Sequence, residues 1–260
     1  EERDTVNEAP DFRSNFGAAL NYNGLWRYVQ NNQSIFRFFD PEQRVVRDTA
    51  YLLNESGWLM YHELAHALDF MPPSAYGSLN NSLGVWANIE PRTANSRLNR
   101  AGQLTSDTVP ARYPLTSTVL PGLGQVKFQG ATATPAQIAY TPAQVGAFFA
   151  ADIATDEYAY STPREDTAMA IEEALMSVRL GIKRDVAMTD KITDATTAAT
   201  LFVRWGQRGR VGEPLIKPRV KAIAAELTPW FDQATIDAIA VPLFMRSGDT
   251  WNGNLVLPAP

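Results

Sequence analysis

Residues 57–71 read Gly57-Trp-Leu-Met-Tyr-His-Glu-Leu-Ala-His-Ala-Leu-Asp-Phe-Met71, and most of them are good helix formers. The run stops at Pro72 and Pro73, which lack a backbone donor and push the preceding residue out of helical geometry. Ser56 or Asn54 could cap its start. Apolar residues recur near the helical period, at Leu59, Leu64, Ala67, Leu68 and Met71. The sequence therefore predicts a mostly buried helix over residues 57–71.

This helix carries the only two histidines of the 260 residues, His62 and His66, with Glu63 directly after the first. Residues four apart lie on one face of a helix, one turn from each other. Both imidazoles can therefore reach a single ion, and the spacing is that of the zinc-binding pattern H-E-x-x-H. The sequence predicts one catalytic Zn²⁺ ion held by His62 and His66, with Glu63 as the general base.

Composition indicates a globular protein and excludes several other classes. Apolar residues make up 45% of the chain and charged residues 20%. The net charge of −5, without an overriding basic cluster, argues against a nucleic-acid partner. No apolar run approaches the ~20 residues that a membrane span needs. The absence of cysteine excludes thiolate zinc ligands and a cysteine nucleophile.

The length fits a single domain over residues 1–260. Residues 72–140 are rich in Pro, Asn, Ser, Thr and Gly, and we interpret them as a long irregular insertion with a few short strands, such as Gly124 to Phe128. Residues 44–53 could be a strand or the lead-in to the motif helix. Further helices are expected within 10–40 and over 141–153, 163–180, 193–205, 217–227 and 232–240.

Catalytic zinc usually has three protein ligands, and with no third histidine the remaining one must be an oxygen donor. Glu165, Met169, Glu172 and Met176 form one stripe of the helix predicted over 163–180. Glu165 is a candidate ligand, but Thr162-x-x-Glu165 also fits a capping box, in which the glutamate bonds back to the helix start. Glu172 is a competing ligand, and Asp156 is available as an aspartate alternative.

The stretch Tyr158-Ala-Tyr-Ser-Thr-Pro-Arg-Glu-Asp-Thr-Ala168 resembles the second motif of the lethal-factor-like zinc peptidases, a group with H-E-x-x-H plus a glutamate. Residues 62–69 are similar to the first motif of that group and of related bacterial peptidases. The resemblance covers about a tenth of the chain. It implies that His62, His66 and Glu165 bind zinc, that Glu63 is the general base and that Tyr158 donates to the oxyanion.

The chain departs from this group at Met169, where family members often carry a second glutamate. Asp69 or Asp166 could then orient a ligand histidine, because metal-bound imidazoles normally donate their other N–H to such a group. Tyr160 competes with Tyr158 for the role of oxyanion donor. These alternatives concern the surroundings of the metal rather than the two histidines.

Together these features predict an α+β, zincin-like fold that is predominantly helical, with a small mixed sheet beside the active-site helix. The predicted function is that of a zinc metallopeptidase acting on a peptide or protein substrate. The alternatives are an inactive zinc-binding interaction module and an amide hydrolase acting on cell-wall peptides. Because the chain begins at Glu1 and not at Met, we expect removal of an upstream segment, either at a signal peptide or at a cloning boundary, and a periplasmic, surface or secreted location.

Overall fold

A computed structural model of the chain describes residues 17–35, 49–193, 195–197 and 200–258. About half of these residues are helical, and five antiparallel strands form one small sheet in the order β2-β1-β3-β4-β5. The strands are β1 (Tyr22–Gln30), β2 (Gln33–Ser34), β3 (Lys183–Asp190), β4 (Val203–Arg208) and β5 (Leu243–Phe244). The protein is thus a mixed helix and sheet structure as predicted, but the sheet is antiparallel rather than mixed.

Nine α-helices are described, and in that part of the chain none is both long and apolar enough to cross a bilayer. The helices are α1 (Thr49–Phe70), α2 (Val85–Ile89), α3 (Thr105–Arg112), α4 (Leu120–Gln129), α5 (Pro135–Ala139), α6 (Pro142–Ala150), α7 (Pro163–Leu180), α8 (Lys217–Leu227) and α9 (Gln233–Asp237).

The two longest helices, α1 and α7, pack against each other. Small side chains on both helices lie in one buried apolar cluster, which lets the two backbones approach closely. Helices α3, α8 and α9 complete this cluster from the far side. The buried alanines that line the contact are Ala65, Ala168, Ala170 and Ala174.

The sheet lies beside this helix pair, as predicted. Trp58 of α1 meets Trp26 of β1 edge to face, with ring centroids 5.3 Å apart. Met176 of α7 and Tyr28 of β1 belong to the same buried cluster as Trp58. One strand of the sheet is therefore fixed against both of the helices that carry the candidate metal ligands.

Several predicted elements are wrong. Residues 22–34, expected within short helices, form β1 and β2. The described residues of the helix expected over 193–205 form irregular structure and the start of β4. Of the two alternatives for residues 44–53, the lead-in to the motif helix is confirmed for 49–53, which belong to α1, so Asn54 and Ser56 lie inside the helix and do not cap it. Residues 10–16 and 36–48 lie outside the described residues. These elements were misassigned because strand pairing joins distant segments, which local patterns do not report.

Gly124–Phe128, predicted as a strand, is part of α4. The glycine is required there by a close approach, since a Cβ on Gly124 would lie 2.6 Å from the Tyr160 carbonyl oxygen. Residues 72–140 in general form short helices and turns rather than strands. Through Gly124, helix α4 rests on the turn that leads into α7.

Candidate metal centre

Helix α1 holds the two histidines on one face, because it runs without a break through residues 62–66. His62 is buried and His66 is half-buried. The helix is less buried than predicted: Trp58, Ala65 and Leu68 enter the core, whereas several large apolar residues face outward. The exposed ones are Leu52, Leu53, Leu59, Met60 and Leu64.

Helix α7 begins at Pro163, and its start places Glu165 beside the histidines. The Thr162 hydroxyl caps the helix by accepting the Glu165 N–H at 3.2 Å. The Glu165 carboxylate points to the imidazoles: its Oε2 lies 3.1 Å from Nε2 of His62. The helix start therefore keeps the threonine half of the predicted capping box and leaves the glutamate side chain for the histidines.

Three ligand atoms converge at this point, namely Nε2 of His62, Nε2 of His66 and Oε2 of Glu165. The two imidazole nitrogens are 3.1 Å apart, and Nε2 of His66 lies 3.4 Å from the Glu165 oxygen. Zinc bonds of ~2.0–2.1 Å in tetrahedral geometry place neighbouring ligand atoms about 3.3 Å apart. Within the part of the chain that the structure describes, these residues form the one group that could hold a metal ion, and their spacing fits zinc.

Glu172 lies on the other side of the His62 ring. Its Oε2 is 2.9 Å from Nδ1 of His62, and its Oε1 accepts hydrogen bonds from Tyr28 at 2.6 Å and from Arg184 at 2.6 Å. The two nitrogens of an imidazole point in diverging directions, so Glu172 does not face the point where the three ligand atoms meet. The geometry thus separates the two glutamates that compete as the third ligand in the sequence.

The titration of the site follows from these contacts. Burial lowers the pKa of His62, but hydrogen bonds to Glu165 and Glu172 outweigh burial and raise it to about 9. Burial raises the pKa of Glu165, while hydrogen bonds from His62 and His66 lower it to about 2. Burial also raises the pKa of Glu172, and the Arg184 guanidinium together with His62 more than offsets this. Both carboxylates are therefore ionised at neutral pH, and they favour a positive charge at His62, either as the protonated imidazole or as a bound metal ion.

The predicted orienting aspartates are engaged elsewhere. Asp69 accepts hydrogen bonds from Ser106 N at 3.0 Å and from Arg164 at 3.1 Å. Asp166 pairs with Arg219, with Oδ1 2.8 Å from Nη1. Within the described residues neither aspartate is hydrogen-bonded to His62 or His66, so the prediction that one of them orients a ligand histidine is wrong; the carboxylate at Nδ1 of His62 is that of Glu172.

Asp156, the alternative ligand, is buried near Arg184, and its Oδ1 accepts the Tyr158 N–H at 2.8 Å. The Tyr160 hydroxyl donates a hydrogen bond to Asp152 at 2.9 Å, and the side chain is buried in the core. The Tyr158 ring packs on Phe128 in the turn directly before α7. These contacts remove Tyr160 as the competing donor and leave Tyr158 as a prediction.

Glu63 is exposed on α1, next to His62, which is compatible with the general-base role that stays a prediction. Sequence reasoning missed the hydrogen bond between Glu172 and Nδ1 of His62, although the stripe of α7 that contains Glu165 and Glu172 is its signal. Comparison with protein families, curated proteins and solved structures gives no match for this chain.

Proposed function

We propose that the protein is a zinc-dependent peptidase with a zincin-like arrangement, in which His62, His66 and Glu165 bind one Zn²⁺ ion. The observation that carries the proposal is the convergence of their three ligand atoms at 3.1–3.4 Å, with the second nitrogen of His62 held by a buried carboxylate. A site that only binds zinc structurally usually fills four positions with protein ligands. Three ligands beside an exposed glutamate suit hydrolysis better.

When bound, zinc lowers the pKa of a water molecule toward ~7 and polarises the carbonyl that is attacked. Glu63 takes the proton of the attacking water and delivers it to the leaving nitrogen. Tyr158 donates a hydrogen bond to the carbonyl oxygen as negative charge develops there. The substrate in this proposal is a peptide or protein.

The first test compares the wild-type protein with Glu63→Gln. We expect both proteins to bind one equivalent of zinc, because Glu63 is not a ligand. The variant should lose about 10²–10⁴-fold in kcat/KM on a peptide that the wild type cleaves, which is the usual contribution of a general base. Zinc content is measured by atomic emission, and cleavage by mass spectrometry of a peptide library. Glu226→Gln, an exposed helical glutamate of α8, is the matched control.

Each outcome selects one interpretation. Wild-type turnover in Glu63→Gln would show that the base is assigned wrongly. Zinc binding with no cleavage of peptides or cell-wall fragments would favour an interaction module. Cleavage of cell-wall fragments alone would make the protein an amide hydrolase with another substrate. A wild-type protein that binds no zinc would refute the proposal as a whole.

A further inference from the structure

A buried network of hydrogen bonds connects the sheet to the candidate metal site. Arg184 of β3 and Tyr28 of β1 both bond to Oε1 of Glu172, and Arg184 also donates to the Tyr28 hydroxyl at 2.9 Å. The other carboxylate oxygen, Oε2, bonds to Nδ1 of His62. Glu172, Tyr28 and Arg184 are all at most 1% exposed. Buried groups with this many charge-assisted bonds are held firmly in place.

The hydrogen bond from His62 to Glu172 determines which nitrogen of the metal-bound imidazole carries the proton. When a metal takes Nε2, His62 keeps a single imidazole proton, and because the ionised Glu172 carboxylate only accepts hydrogen bonds, this proton lies on Nδ1. Nε2 is the nitrogen that lies beside His66 and Glu165, so its lone pair is the one available to the metal. The carboxylate also holds the plane of the ring and makes Nε2 a stronger donor to a metal.

We propose that Glu172 is the positioning residue of the metal site, held by Tyr28 and Arg184 so that Nε2 of His62 faces the ion. The proposal rests on the proposed function only in so far as a metal binds at His62, His66 and Glu165. It assigns to Glu172 the role that the sequence left between Asp69 and Asp166. It also explains how residue 169 can be a methionine where family members often carry a glutamate. The orienting carboxylate here is that of Glu172, one helical turn further along α7.

The test measures zinc affinity of the full chain by competition with a chromophoric chelator. Glu172→Gln should weaken zinc binding by about 10–100-fold, the usual effect of removing such a partner. Tyr28→Phe, which keeps the Arg184 bond to Glu172, should weaken it less. Glu173→Gln is the matched control: Glu173 is the next residue, is equally buried and faces Arg184, but bonds to Val211 N rather than to His62. It should bind zinc within about twofold of the wild type, because it holds no ligand histidine.

A second measurement takes its main result from the wild type alone. The chain has only two histidines, so ¹⁵N spectra of the zinc-loaded wild type contain only two imidazole rings. For His62 we expect a proton on Nδ1 with the shift of a strong hydrogen bond, and a metal-bound Nε2. Glu172→Gln should move this Nδ1–H resonance, while Glu173→Gln should not.

The proposal is overturned if zinc binds His62 through Nδ1, or if Glu172→Gln binds zinc as tightly as the wild type. X-ray absorption at the zinc edge can also overturn it. If the zinc of Glu172→Gln has one oxygen ligand fewer than the zinc of the wild type, Glu172 is a ligand and not a positioning residue. Failure of the proposed function looks different. A wild-type protein with normal zinc affinity, the expected spectra and no hydrolysis would refute the peptidase and leave the role of Glu172 intact.

Discussion

Glu173 is fully buried beside the positioning residue, and its titration should make the protein less stable as the pH rises. Its Oε1 accepts the Val211 N–H at 3.1 Å, and its Oε2 lies 3.8 Å from Nη1 of Arg184. Burial raises the pKa of Glu173 from 4.5 to about 7, against the opposing effect of Arg184. Between these two pKa values the folded protein binds more protons than the unfolded chain, so the free energy of unfolding falls as pH increases.

Glu173→Gln should remove this fall. Relative to the wild type, its free energy of unfolding should rise by about 3 kcal/mol between pH 4.5 and pH 8, from the size of the pKa shift. Urea unfolding of metal-free protein at several pH values measures the difference. Glu226→Gln, an exposed glutamate, should follow the wild type. A constant difference between Glu173→Gln and wild type across this range would contradict the buried, protonated carboxyl.

At this scale the sequence predicts the identity of the candidate ligands better than the contacts around them. His62 and His66 follow from their spacing alone, and the stripe of α7 places Glu165 and Glu172 on one face. Which glutamate meets which imidazole nitrogen depends on Tyr28 and Arg184, which lie 144 and 12 residues from Glu172 along the chain. Periodicity within one helix carries no information about such partners.

Among the elements, Asp69 joins the end of α1 to the starts of α3 and α7. It is 1% exposed and accepts hydrogen bonds from the Ser106 N–H and hydroxyl and from Arg164. Because His66 and Glu165 lie within one turn of these contacts, the junction keeps the two ligand-bearing helix ends together.

Asp69→Asn should weaken this junction, because the amide brings a donor to a place surrounded by donors. We expect a loss of about 1–3 kcal/mol in the free energy of unfolding, together with weaker zinc binding. Chemical denaturation and chelator competition measure the two effects. Asp237→Asn at an exposed pair with Lys221 should change stability by less than about 0.5 kcal/mol. Equal effects of the two substitutions would speak against a special role for Asp69.

The elements that the sequence predicts well have their signals within a few residues. Helix α7 lies between the Thr162 cap with Pro163 and the left-handed Gly181 at φ 65°, and its predicted bounds are confirmed. Helix α8 over 217–227 is confirmed as well. Strand β1 pairs with β3, with Tyr22 opposite Asp190, and this partner lies too far along the chain for a local pattern to indicate it.

For the whole molecule, removal of zinc should lower the melting temperature. A ligand that binds only the folded state at 100 times its Kd stabilises it by about 2.7 kcal/mol. In a domain of this size that corresponds to a shift of about 5–10 °C. Differential scanning calorimetry with zinc and with EDTA tests this expectation. A His62→Ala, His66→Ala double variant should show no zinc-dependent shift, and an equal shift in that variant would place the binding site elsewhere.

The distance along the chain between the two halves of the site has a consequence for synthesis. His62 and Glu165 are 103 residues apart, and Tyr28 and Glu172 are 144 apart. A nascent chain that has not yet reached residue 165 holds two imidazoles without their carboxylates. Joining segments this far apart has an entropic cost that only the docked helices and sheet offset. The three candidate ligands therefore come together only once α1 and α7 have docked.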